Sequence, residues 1–234
     1  MADAGVRRSG RRPGRSGSRD AILRAARLKF AELGYERTTV RGIAREAQVD
    51  AALVHHFFRS KEGVFAAAVH EAIRPMELMP VVLAGDPATL GERLLTAVLG
   101  LWESAERHDA LLAVLRSAVS HETAAKILRE FLGREILGPL AQALAEPQRA
   151  LRAALLGSQL IGLVMARYII RIEPLASAST RALVAAYAPV IQKALTGDGP
   201  LPGSYPGPLP GSYPGPLPGS FPGRITPQPG GAAG

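Results

Sequence analysis

The sequence predicts an all-α protein: an N-terminal three-helix unit with a helix-turn-helix, then a C-terminal helical bundle, flanked by an Arg-rich arm and a Pro/Gly-rich tail. Three observations predict it. Apolar residues recur at helical spacing through most of the chain, and alternating β-branched runs bounded by turn pairs do not occur. Two short stretches with that spacing are separated only by Gln48 to Asp50. Positive charge is confined to one end: residues 1–63 carry 14 Lys/Arg against 7 Asp/Glu, whereas residues 64–234 carry 14 against 13. Charge held in one segment is an electrostatic footprint whose commonest partner is nucleic acid.

Residues 1–17 are rich in Arg, Gly and Ser and lack an apolar pattern, so a flexible basic arm is expected there. Ser18 suits an N-cap and Asp20 the first helical turn, after which Ile22, Ala26, Phe30 and Leu33 share one face. Gly34 can close that helix with a left-handed cap. Thr39 caps a second helix with Val40, Ile43, Ala44 and Ala47 inward. Asp50 caps a third, and Val49 and Val54 form a hydrophobic staple across its start. Ser60 caps a fourth, ended at about Arg74 by Pro75. The first unit thus spans residues 18–64. A helical region spans 65–197, with helices expected at 88–106, 109–119, 121–145 (with a break at Pro139), 147–172 and 179–196.

Residues 198–234 change character. The unit PLPGSYPG recurs three times at a period of eight, Phe221 replacing tyrosine in the last copy, and 11 of the 19 prolines lie between Pro200 and Pro229. Extended conformers are expected, either a ligand for an aromatic-lined groove or a solvated tail.

Composition excludes several classes. Without cysteine there are no disulfides, thiolate metal sites or cysteine nucleophiles, which fits a reducing, cytoplasmic setting. The longest charge-free helical apolar run, Ala153 to Ala166, has 14 residues, short of the roughly 20 a bilayer span needs, so no membrane helix is expected. The N-terminus has no apolar stretch after its charges and is not a secretory signal. No HExxH, phosphate-binding glycine loop or nucleophile elbow is present. No catalytic residue, metal or cofactor is therefore expected. His55 and His56 are adjacent, so on a helix they point about 100° apart and do not share one ion.

The outward face of the third helix carries the binding chemistry. With Val54 and Phe58 inward, Ala52 and His56 project on the opposite side, flanked by Leu53 and His55. Such a small, polar face suits a DNA major groove about 12 Å wide. The stretch AILRAARLKFAELGYERTTVRGIAREAQVDAALVHHFFRSKEGVF resembles the DNA-binding domain of TetR-family transcriptional regulators. The match runs over residues 19–70. It rests on the paired alanines and Phe30 to Tyr35 of the first helix, on Thr38-Thr39-Val40, on Ile43-Ala44 and on the exit Phe58-x-Ser60-Lys61-Glu62.

The resemblance implies a homodimer on a palindromic double-stranded operator, in most cases a repressor released by a small effector. It implies that Thr39 and Arg41 face phosphates and that Ala51, Ala52 and Leu53 occupy the base-reading start of the recognition helix. His55 takes the place of a phosphate-touching tyrosine, His56 stands on the groove face, and Lys61 matches a phosphate-binding lysine. Two departures stand out. Gln48 replaces a turn glycine, which requires a slightly different turn or a left-handed glutamine, and Asp50 replaces a serine cap. Ala51-Ala52-Leu53 offers no bidentate base contact, so specificity is expected to lean on His56, phosphate geometry and DNA shape. Arg7, Arg8, Arg11, Arg12, Arg15 and Arg19 of the arm could enter a neighbouring minor groove. Because histidines titrate near neutral pH, binding that strengthens as pH falls is expected.

The resemblance also implies a second domain that dimerises through its last two helices around a small-molecule pocket. A small-residue stripe, Ala154, Ser158, Gly162 and Ala166, supports this from the residues themselves, facing Leu183, Tyr187, Ile191 and Leu195 on the next helix. The alternative is that the stripe packs within the chain. Trp102, Phe131, Met165 and Tyr168 are the candidate lining of a cavity for a mostly apolar effector, with Arg116 and Arg167 as polar anchors. A ligand-independent or architectural DNA-binding protein is the other class left open.

Overall fold

A computed structural model describes residues 15–144 and 148–196 of the chain; Arg7, Arg8, Arg11 and Arg12 and the C-terminal repeats lie outside the described residues. Its helices are α1 (Arg15–Arg37), α2 (Val40–Glu46), α3 (Ala51–Phe58), α4 (Lys61–Ile73), α5 (Pro75–Leu83), α6 (Leu90–Glu103), α7 (Ala105–Ser120), α8 (Glu122–Phe131), α9 (Gly138–Gln142), α10 (Arg149–Val164) and α11 (Thr180–Thr196). Among the described residues there is no strand, in agreement with the all-α prediction.

The local signals near the N-terminus act as the residues dictate. Thr39 Oγ1 accepts the Gly42 N–H at 3.0 Å, Asp50 Oδ1 that of Ala52 at 2.7 Å and Ser60 Oγ that of Gly63 at 3.2 Å, each supplying a partner to an otherwise orphaned helix-start amide. Gly34 holds φ +72°, closing the long part of α1 before its last few residues. Gly63 is required by space: a Cβ there would collide with the Phe58 carbonyl, so α4 begins directly against the end of α3.

Two expectations are corrected, the start of α1 and the break at Pro139. α1 is already helical at Arg15, so Ser18 is not its cap, and Arg15 and Arg19 belong to a helix rather than to a flexible arm. Pro75 ends α4 as expected, and it also begins α5, as its missing N–H allows at a first helical position. Pro139 does not break its helix: the turn before it, Leu132–Leu137, widens into a π-helix, and the chain continues into α9. α10 also runs on through a second π-turn, so Arg149–Ile170 is 22 residues long and contains an 18-residue window of mean hydropathy 1.6. By length and composition alone it is long and apolar enough for a bilayer span, as the core helix of a soluble protein also can be, and no membrane association follows from it. Counting only charge-free residues stopped at Arg152 and Arg167, both of which are buried in the protein, where they donate to the carbonyls of Ala194 and Leu175.

Two large cores organise the helices. Ile22, Phe30, Tyr35, Ile43, Val54, Phe58, Val64 and Phe65 form the first, which extends onto α7 and α8 through Ala113, Val114 and Ala124. Residue 64 therefore marks no break in packing. The second core joins α5, α6, α9, α10 and α11 around Leu95, Leu99, Leu140, Leu156 and Ile191. Burying each such side chain contributes about 1.5–3 kcal/mol.

Candidate nucleic-acid interface and ligand region

Val54 and Phe58 are buried on α3, and Ala52, His55 and His56 are exposed on its other side. Ala51 and Leu53, expected beside Ala52, are half-buried against the first core, which leaves Ala52 as the freest residue at the helix start. Thr39 and Arg41 are exposed around the start of α2, as is Arg45 in its last turn. Lys61 is more committed than its sequence position suggests. Its ammonium donates to the Tyr35 and Glu36 carbonyls at 3.1 and 3.3 Å and lies 4.4 Å from the Tyr35 ring centroid. One of its three N–H donors is then left for a phosphate. Arg19 lies over the Phe58 ring at 5.5 Å, bracing the end of α3 instead of reaching away.

Two side chains near α3 hold unusual backbones. The α2 terminus is a Schellman motif, with Val49 N–H returning to Ala44 C=O at 3.0 Å and Gln48 N–H to Arg45 C=O at 3.2 Å. Gln48 sits at its glycine position with φ +55°, so the left-handed alternative anticipated for this residue is the one observed. Such a φ costs a non-glycine residue about 1–2 kcal/mol. At the other end, Arg59 has φ +65° and ψ −42°, and Ser60 N–H donates to Phe58 C=O at 2.7 Å, which is a γ-turn of the strained hand. His55 fastens this turn: its backbone carbonyl accepts the Arg59 N–H at 2.9 Å, and its ring Nδ1 donates to the Arg59 carbonyl at 2.8 Å. Arg45, Gln48 and Arg59 were missed as candidates. For Gln48 the legible signal was a glycine position filled by another residue; Arg45 and Arg59 carried no such signal.

In the second half, Ala154, Ser158 and Gly162 are exposed along α10, and a Cβ at Gly162 would meet nothing within 4 Å. Among the described residues, nothing packs on the stripe along most of its length; Ala166 is half-buried. The face expected on α11 is corrected: Ile191 is wholly enclosed and Leu195 nearly so, while Leu183 and Tyr187 pack against the same core. Gly91 explains the rotation. A Cβ on it would lie 2.7 Å from Gln192 N and 2.9 Å from Ala188 O, so the backbones of α6 and α11 touch and turn that face inward. Ala182, Ala186 and Val190 are exposed instead.

The four expected ligand residues separate. Trp102 and Tyr168 stack at 5.3 Å with 15° between planes, and His108 meets both edge-on at 6.0 and 6.1 Å. Burial is the main cause raising the Tyr168 phenol above its ordinary range. Its hydroxyl, Arg167 and the Thr180 hydroxyl converge on Glu103 Oε1, so Arg167 is a buried clamp. Met165 is half-buried at the start of the π-turn. Phe131 lies elsewhere, edge-on to His70 at 6.1 Å on the first core, and Arg116 is exposed on α7. None of these lines the groove of about 410 Å³ between α5, α6 and α7, which is walled by Leu78, Val81, Ala97, Gly100 and Leu101 and rimmed by the Glu77–Arg107 pair at 3.2 Å. Overlooking α5 hid that groove.

Comparison with known proteins agrees with this geometry. Residues 22–68 match the profile of bacterial regulatory proteins of the tetR family, and residues 88–195 that of the tetracyclin repressor-like C-terminal domain. Over 176 residues the chain is 30% identical to the HTH-type transcriptional regulator BetI of Agrobacterium fabrum, covering 72% of this chain and 85% of that protein. It is 36% identical over 96 residues to the HTH-type transcriptional repressor AcnR of Corynebacterium efficiens, covering 40% and 45% respectively. A crystal structure of a TetR-family regulator from Streptomyces coelicolor A3 is similar with a TM-score of 0.62 at 36% identity, covering 80% of this chain and 99% of that one.

Proposed function

The chain belongs to the TetR family of DNA-binding transcriptional regulators, and from that premise we propose that it is a homodimeric, effector-responsive repressor of a near-palindromic operator, acting in the cytoplasm. The observation that carries the reading is the outward face of α3, where Ala52, His55 and His56 stand exposed between Arg45 in the last turn of α2 and the basic turn Arg59–Lys61. Two such helices enter successive major grooves about 34 Å apart. Thr39, Arg41 and the free donor of Lys61 hold the flanking phosphates, and Arg7, Arg8, Arg11 and Arg12 ahead of α1 reach the minor groove beside them.

The exposed stripe on α10 and the Ala182–Ala186–Val190 face of α11 supply a self-complementary surface for the dimer. The α5–α6–α7 groove is our candidate for the effector site, because its apolar walls end at the Glu77–Arg107 pair and so suit a small, mostly apolar molecule with a polar end. Its occupation favours a dimer with the wrong separation of recognition helices, which releases DNA by population shift. Selection of bound duplexes from a random pool tests the reading: a dyad-symmetric consensus is expected, and a consensus without dyad symmetry sinks the dimeric repressor. A thermal-shift screen then separates it from a ligand-independent DNA binder, because an effector raises the melting temperature and releases the selected duplex together.

A further inference from the structure

Among the described residues, the side chains of the two strained residues that bracket α3 make no contact that offsets the strain of their backbones. Gln48 holds φ +55° where a glycine would be relaxed, and Arg59 holds φ +65° in its γ-turn. Both side chains are exposed, and among the described residues neither has a hydrogen-bond or ion-pair partner. Arg74 illustrates the other outcome: its φ is +49°, but its guanidinium pairs with Glu71 at 2.8 Å and Glu77 at 3.8 Å and ties α4 to α5. Glycine would relieve both turns beside α3. A costly backbone under a free polar side chain, at the edge of a binding surface, points to a partner outside the chain.

The geometry suits DNA. The eight residues of α3 rise about 12 Å, close to the major-groove width of about 12 Å. Side chains at the two ends of the helix therefore reach the groove walls, which are phosphate backbone. Arg59 leaves from a rigid base, because His55 holds both its amide and its carbonyl. We propose that Arg59 and Gln48 are DNA-contact residues, the Arg59 guanidinium pairing with a phosphate at the far end of the recognition helix and the Gln48 amide donating to one ahead of it. This rests on the operator-binding reading above.

The test uses the full chain and a fluorescein-labelled duplex recovered by the wild type from a random pool. Arg59→Gly and Gln48→Gly are compared with Arg171→Gly, an exposed position with φ +60° that has no place in the DNA surface. All three variants are expected to melt about 2–4 °C higher than the wild type. Arg59→Gly should bind about tenfold more weakly, with the slope of log K against log salt flattened by about 0.9. Gln48→Gly should lose about threefold without a change of slope, and Arg171→Gly should bind as the wild type does. Arg59→Lys should restore the slope. Wild-type affinity and slope in both glycine variants beside α3 would overturn the proposal, as would a fall in their melting temperatures. A wild type that recovers no duplex at all sinks the operator reading first, and this one with it.

Discussion

Tyr35 near the end of α1 donates its hydroxyl to the Glu62 carboxylate at 3.1 Å, joining the two elements on either side of the helix-turn-helix. The ring is buried among Phe30, Phe65 and His121, at centroid distances of 5.9, 5.1 and 4.8 Å. His121 caps α8 by accepting the Thr123 N–H at 3.2 Å, so this ring is also where the later helices meet the DNA-binding unit. Tyr35→Phe keeps the ring and should cost about 1 kcal/mol. Tyr35→Ala should cost about 3–5 kcal/mol. Urea unfolding midpoints at unchanged m-value measure both, and equal losses would show that the hydroxyl, not the ring, matters.

Glu62 gives acid sensitivity a definite sign. The Ser60 hydrogen bond is the largest cause holding its carboxyl below the ordinary 4.5, followed by its backbone amide, with Tyr35 and the Lys61 charge adding to it. A folded value below the unfolded one contributes stability that is present above the ordinary value and lost as pH falls through the folded value. Melting temperatures should therefore drop below about pH 4.5, less steeply in Glu62→Gln than in the wild type. Parallel curves would assign the acid loss to other carboxylates.

His55 should support DNA binding through the turn it fastens. Its Nδ1 donates to the Arg59 carbonyl, so removing the ring frees that carbonyl and loosens the end of α3. His55→Ala should weaken binding to the selected duplex about threefold to tenfold, the loss of one hydrogen bond of about 1 kcal/mol. Fluorescence anisotropy checks this, and wild-type affinity in His55→Ala would refute it.

The dimer face can be tested without disturbing the subunit. A side chain at Gly162 meets open space, and Val190 is 49% exposed. Gly162→Leu and Val190→Arg should keep the helical circular dichroism yet sediment as monomers at concentrations where the wild type is a dimer. Dimers in both variants would move the interface off these helices.

Legibility followed range. The caps at Thr39, Asp50 and Ser60 depend on an amide two or three residues away, so the sequence carried them. The inward direction of α3 was equally plain, because only Val54 and Phe58 needed burial. On α11 apolar residues and alanines surround the axis, and the choice between Ile191 and Val190 is made by Gly91, a hundred residues earlier. The separation of Phe131 from Trp102 has the same origin, since α8 packs on α4 and no local pattern records that. Gln48 falls between: its residue type raised the question and only its backbone angle answered it, whereas nothing in the residue pattern singled out Arg59.

The junction at Gly63 has a mechanical consequence. With the first turn of α4 pressed on the last carbonyl of α3 and the γ-turn between them fastened by His55, the two helices form a rigid bent lever without play. The 13 residues of α4 give that lever an arm of about 20 Å. Tilting it by about 5° around its Ile73 end sweeps the other end through about 1.7 Å. In a symmetric pair the displacement doubles to about 3 Å, a tenth of the roughly 34 Å groove repeat. In the proposed dimer, a movement at α4 no larger than a side chain's rearrangement would be geared up into a mismatch with the DNA.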